Sequence, residues 1–114
     1  MAIHIEVDSK SLDISRLRTI IESKGCGSVV SFVGLTRDNE DGVPVKGLEF
    51  DAWEDKLPEV LRTIAEEAIS TFGVSSIVIS HRTGFVKPGQ EIVCIHVGSA
   101  HRAEGFAACS WLIS

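Results

Sequence analysis

The stretch that most limits how this chain can fold is EIVCIHVGS, Glu91–Ser99. In an extended chain Ile92 and Cys94 point to one side, and Val93, Ile95 and Val97 to the other. A strand apolar on both faces is stable only inside a sheet that is covered on both sides. The 114 residues must therefore build a sheet interior and two covering layers. That length suits one domain over 1–114, able to bury about two-thirds of its unfolded surface.

Other segments supply the neighbours. HIEV (His4–Val7), GSVVSFVG (Gly27–Gly34) and SSIVISHR (Ser75–Arg82) read as strands, and VKGLEFDAW (Val45–Trp53) as a strand with one apolar face. TRDNEDGVP (Thr36–Pro44) is a polar loop holding the turn dipeptide Asp41-Gly42, and Pro88-Gly89 marks the loop before Glu91. Ile14, Leu17, Ile20 and Ile21 recur at helical spacing, with Gly25 as a stop. From Glu54 to Phe72 the spacing of Leu57, Leu61, Ile64, Ala65, Ala68 and Phe72 predicts an amphipathic helix, with Pro58 early and Gly73 after its end. A last helix is expected from Ser99 as N-cap, with a stripe of Phe106, Ala107 and Trp111. The order β-α-β-β-α-β-β-α predicts an α+β fold, with a mixed or mainly antiparallel sheet and helices mainly on one face.

Composition excludes several classes. A net charge of −5 argues against non-specific nucleic-acid binding. No apolar run reaches the roughly 18 residues of a membrane span. MAIHIEVDSK lacks the basic start and apolar core of a signal peptide. Cys26, Cys94 and Cys109 are too few and too irregular for a disulfide framework or a Cys-x-x-Cys site, so a cytoplasmic protein is expected. Cys94 and His96 share a strand face, but the spacings of a metal site are missing, and no metal or cofactor is expected.

Three arginines follow strand ends: Arg37, Arg82 and Arg102. Gathered on one rim, they would grip an anion, since each guanidinium presents a planar fork of donors. Arg102 also falls in the first turn of the last helix, where free N–H groups favour negative charge. A cation there is locally unfavourable and wants a compensating anion, either a ligand or one of the chain's sixteen acidic residues. His101, beside it, is a candidate proton shuttle or orienting group.

GSVVSFVGLTRD, then GLEFDAW and an amphipathic helix, then HRTGFVKPGQEIVCIHVGSAHRAEGFAAC, resembles the large, catalytic subunit of molybdopterin synthase, the MoaE family. The resemblance runs from about Gly27 to the end, and its combination of F-x-G-x-x-R, H-R-x-G and H-R-x-x-x-F is specific. It implies an α/β-hammerhead type of α+β fold. It also implies an enzyme of molybdenum-cofactor biosynthesis that turns cyclic pyranopterin monophosphate into molybdopterin by installing two sulfurs as a dithiolene. The sulfur would arrive as a thiocarboxylate on the C-terminal Gly-Gly of a small ubiquitin-like, MoaD-type partner. Two large subunits would form a homodimer within a heterotetramer. By resemblance Arg37, His101 and Arg102 are catalytic and, with Leu35 and Thr36, bind the substrate, while Phe32 and Arg82 shape the pocket or an interface.

The chain departs from the family at its end. The family's last helix continues to a lysine and a P-x-W-K-type segment, and this sequence stops at Ser114 before either. A sequence missing its continuation is the expectation. The other class of function is a non-catalytic dimeric module that binds a ubiquitin-like partner. An unrelated anion-binding enzyme on the same fold is a third option.

Overall fold

The doubly apolar strand lies in the interior of a four-stranded sheet. The computed structural model of the chain describes residues 2–37, 39–40, 43–44, 48–50 and 56–114, with the backbone alone at 39–40, 43–44 and 48–50. Its elements run β1 Ala2–Asp8, α1 Ile14–Ile20, β2 Ser28–Leu35, β3 Asn39–Glu40, β4 Val43–Pro44, β5 Leu48–Phe50, α2 Leu57–Phe72, β6 Ser76–Arg82, β7 Gly84–Val86, β8 Glu91–Ser99 and α3 Arg102–Ile113. The sheet order is β1-β6-β8-β2. β1 pairs parallel with β6, and β8 pairs antiparallel with both β6 and β2, so the sheet is mixed.

Cover comes from both sides, as the alternation of β8 requires. On one face Ile77, Ile79, Ile95 and Val97 pack with Ala65 and Ala68 of α2 and Ala108 and Cys109 of α3. Ring packing of Phe72 against Trp111, with centroids 6.0 Å apart, ties α2 to α3. On the other face Leu17 and Ile21 cover Val78 and Cys94. α2 and α3 thus share a face, and α1 closes the opposite one. Among the described residues no helix is long and apolar enough to cross a membrane.

Helix boundaries follow local chemistry. The Asp13 carboxylate accepts the Arg16 amide at 3.1 Å and caps α1. Gly73 ends α2 in the left-handed region (φ 73°), its N–H donating to the Ile69 carbonyl.

Several boundaries differ from the sequence expectations. β3 and β4 form a two-residue ladder inside the expected polar loop, and β7 interrupts the expected loop before β8 to pair with β5. The Asp41-Gly42 turn, residues 45–47 and residues 51–55, which include Trp53 and the expected helix start at Glu54, lie outside the described residues. The expected stripe of α3 holds at Trp111, which packs against the core, but Gly105, Ala108 and Cys109 are the buried residues, Ala107 is exposed and Phe106 is 61% exposed. Small residues on the buried side let the helix lie close to β2 and β8. A Cβ on Gly105 would come within 2.7 Å of Ser99 Oγ and 3.1 Å of Val30 Cγ2.

The α1-covered face carries polar groups. The Ser31 hydroxyl lies 2.6 Å from His96 Nδ1, and Cys94 Sγ lies 3.4 Å from Nε2. Burial, and then the positive charge of Arg18, holds His96 below the usual histidine range, against a backbone hydrogen bond at Ile14. Burial also lowers His81, against its bond to the Arg82 carbonyl. At the sheet edge Arg16 and His4 hydrogen-bond the Glu6 carboxylate and hold it below the usual carboxylate range.

Two outcomes follow from this packing. Gly105→Ala should lower the urea midpoint, because overpacking of about 1–3 kcal/mol outweighs a helix-propensity gain of about 0.8–1.0 kcal/mol. A midpoint equal to or above the parent would refute the close approach. The lowered histidines set a pH dependence. Unfolded histidines titrate near about 6.5, so below that value the unfolded chain binds more protons than the native protein. Stability should therefore be lost as pH falls through about 6.5, with a smaller loss in a His96→Gln variant. Glu6 adds a second loss in the same direction, as pH falls from its ordinary value of 4.5 toward its lower folded one.

Candidate functional site

The residues singled out in the sequence fall at two opposite ends of the sheet. At one end β8 finishes at Ser99 and the chain enters α3 through Ala100 and His101. Ser99 is not the N-cap. It stays in the sheet fully buried, donating its hydroxyl to the His101 carbonyl at 2.6 Å and lying 3.3 Å from Ser28 Oγ. A hydroxyl held inside the sheet does not reach the first-turn amides. His101 takes the N-cap position in extended conformation (φ −130°, ψ 154°) and supplies no side-chain cap. Among the described residues, then, no N-cap side chain takes up the first-turn N–H groups of α3.

Those groups border an open groove of about 630 Å³, lined by Gly27, Ser28, Ala100, His101, Arg102 and Ala103. Gly27 is needed there, since a Cβ would run into the Ala100 carbonyl. His101 and Arg102 are both exposed. Among the described residues no carboxylate pairs with Arg102. The arrangement is a cation, an imidazole and uncapped amides around one opening, which suits a phosphate or carboxylate.

At the opposite end β2 finishes in a register shift between Gly34 and Leu35. Leu35 is 57% exposed and Thr36 is buried. The Thr36 backbone is held both ways: its N–H donates to the Gln90 carbonyl (2.9 Å) and its carbonyl accepts from Gly89 (2.7 Å). Its hydroxyl, by contrast, is buried with no hydrogen-bond partner among the described residues. Such an orphan costs about 1–3 kcal/mol, and a polar ligand would relieve it. Arg37 follows, exposed. Arg82 reaches the same end, donating from Nη1 to Gln90 Oε1 at 3.0 Å and from Nε to the Ser9 carbonyl at 3.3 Å.

The expected convergence of Arg37 and Arg102 in one cleft does not occur within one copy of the chain. Ser28 pairs with Ser99 and Leu35 with Glu91, so the two groups sit at opposite ends of the same strand pair. Seven residues of strand separate them by about 23 Å. Arg82 joins Arg37, not Arg102. Phe32 is half-buried and packs against the helix-covered core.

Several contributions were not legible in the sequence. Gln90 follows the Pro88-Gly89 turn signal, and nothing local marks its side chain as a link. Ser28 and Ser99 become partners only once the β2–β8 register is known. All three cysteines are unpaired. Cys94 and Cys109 are packing groups, burial pushing Cys94 up to about 11 and raising Cys109 too, while Cys26 is half-buried outside the core clusters. Among the described residues no three His, Cys, Asp or Glu side chains come together as a metal-holding group.

Known proteins resemble the chain over most of its length. A molybdopterin synthase catalytic subunit from Drosophila willistoni is 36% identical over 108 residues, 94% of this chain and 29% of that protein. One from Nostoc is 35% identical over 103 residues, 90% of this chain and 62% of that protein. The chain thus spans less than two-thirds of the length of both relatives. The crystal structure of molybdopterin synthase from Staphylococcus aureus superposes with a TM-score of 0.87 at 26% identity, over 95% of this chain and 79% of that one. The model of the MoaE protein family matches residues 7–114, and the chain belongs to that family.

Proposed function

We propose that the chain is the large subunit of molybdopterin synthase, moving sulfur from a thiocarboxylated ubiquitin-like partner onto cyclic pyranopterin monophosphate. The observation that carries this is family membership across 7–114 together with anion-gripping groups at both ends of the sheet. A cyclic phosphate needs guanidinium forks and amide donors, and Arg37, Arg102 and the start of α3 offer them. His101 orients the substrate or shuttles protons, as an exposed imidazole beside the groove is placed to do. Cys94 and Cys109 are buried, protonated thiols, which supports sulfur arriving on a partner. Three unpaired cysteines support a reducing, cytoplasmic setting.

The separation of the two ends supports a homodimer within a heterotetramer. One pterin phosphate is too short to touch Arg37 and Arg102 in the same copy. A second copy that brings its Arg37 end against the His101–Arg102 groove would complete each pocket, and a two-fold axis would make two such pockets.

The test is dithiolene formation by the native protein with thiocarboxylated partner and pterin substrate. Arg37→Ala and Arg102→Ala should each lose a charge-assisted contact of about 1.5–3 kcal/mol, roughly 10–150-fold in kcat/KM. Co-assembled, the two variants should regain about a quarter of the parent activity, because half the random dimers are mixed and half of their sites are intact. Inactive single variants with no recovery on mixing would rule out the shared pocket. Partner binding without any product in the parent would instead favour a non-catalytic module. Thr36→Val should leave stability unchanged or raise it by about 1 kcal/mol, while raising KM. An unchanged KM would remove the Thr36 hydroxyl from substrate binding.

A further inference from the structure

One set of polar bonds crosses the whole sheet at its Arg37 end, in the spatial order of the strands. Ser9, just beyond β1, offers its carbonyl to Arg82 Nε. Arg82, the last residue of β6, donates from Nη1 to Gln90 Oε1. Gln90, just before β8, passes the link on through its backbone carbonyl to the Thr36 amide, just beyond β2. The Gln90 side chain is the joint. Its one oxygen accepts from Arg82 at 3.0 Å and from the Lys87 amide at 3.3 Å. The second bond, with that from the Gln90 amide to the Lys87 carbonyl at 3.2 Å, closes the Lys87–Gln90 turn. Gly89, in left-handed conformation (φ 82°), turns its own amide onto the Thr36 carbonyl at 2.7 Å.

We propose that Gln90 is a positioning residue that fixes the Thr36–Arg37 segment against Arg82 and so sets where the anion-binding groups of this end stand. The inference rests on the substrate-binding role proposed above for that segment. Arg82 then acts through Gln90 and not by touching substrate. Two features require such a device. After the register shift at Gly34/Leu35 the β2–β8 ladder ends at the Leu35–Glu91 pair, so the ladder itself does not reach Arg37. Thr36 instead takes its place from two backbone bonds to a tight turn, and that turn keeps its shape through the Gln90 oxygen. A phosphate held by Arg37 is held alike before and during reaction, so misplacing the segment weakens uniform binding and shows in KM, not kcat.

Amide hydrogen exchange and steady-state kinetics on the native protein test this. In Gln90→Leu, exchange protection at Thr36 and Gly89 should fall about tenfold or more, with the central amides of β6 and β8 unchanged. Gln90→Glu keeps an oxygen acceptor at both bonds and should retain the protection. With pterin substrate, Gln90→Leu should raise KM about fivefold and change kcat by less than about twofold. Unaltered exchange at Thr36 in Gln90→Leu, or lost protection in Gln90→Glu, overturns the proposal. The anion role is judged separately by Arg37→Ala. If that variant keeps the parent KM, the substrate-binding role fails, and exchange at Thr36 still decides whether Gln90 holds the segment.

Discussion

β8 is held from four directions, and the rest of the structure is arranged around that enclosure. β6 and β2 take up its backbone groups on either side, while α1 covers one face and α2 with α3 the other. Cys94 and Val97 are fully buried on opposite faces. A strand with no free side has no freedom to slip, since a one-residue shift would move every apolar side chain to the wrong layer. Its two ends are therefore fixed points. Gln90 lies immediately before it, and the His101–Arg102 pair lies just after it.

The two ends use different chemistry to hold a cation in place. At the α3 end the device is close approach by small residues. Gly27, Ser28, Ser99 and Gly105 bring helix, strand and crossover within contact, leaving the first-turn amides beside Arg102. A guanidinium beside the positive end of a helix dipole is a local electrostatic mismatch that a shared anion resolves. At the other end the device is a succession of hydrogen bonds running from Ser9 through Arg82 and Gln90 to Thr36. In a chain of net charge −5, these two places bring exposed arginines to the ends of the sheet.

Much of the fold was legible along the chain because burial alternates with the backbone period. The two-sided strand, the α2 face and the Gly73 stop all came from spacing alone, and each stands in the structure. The α3 stripe held at Trp111 and failed at Phe106 for a physical reason. Large apolar residues usually mark the core, but here close packing needed Gly105, Ala108 and Cys109 inside and left Phe106 outside. Ser99 has the chemistry of an N-cap, yet the sheet claimed it first. β7 was hidden because three residues around a glycine carry no periodic signal, and their strand character exists only through pairing with β5.

Residue type and local spacing were enough to give the layers, the helices and the cations that follow strand ends. Which of those cations meet depends on long-range pairing. Antiparallel pairing of β2 with β8 sends Arg37 and Arg102 to opposite ends, and a polar link through Gln90 joins Arg82 to the first of them. Strand direction and register are set by contacts between segments distant in the chain, and no short stretch of residues encodes them.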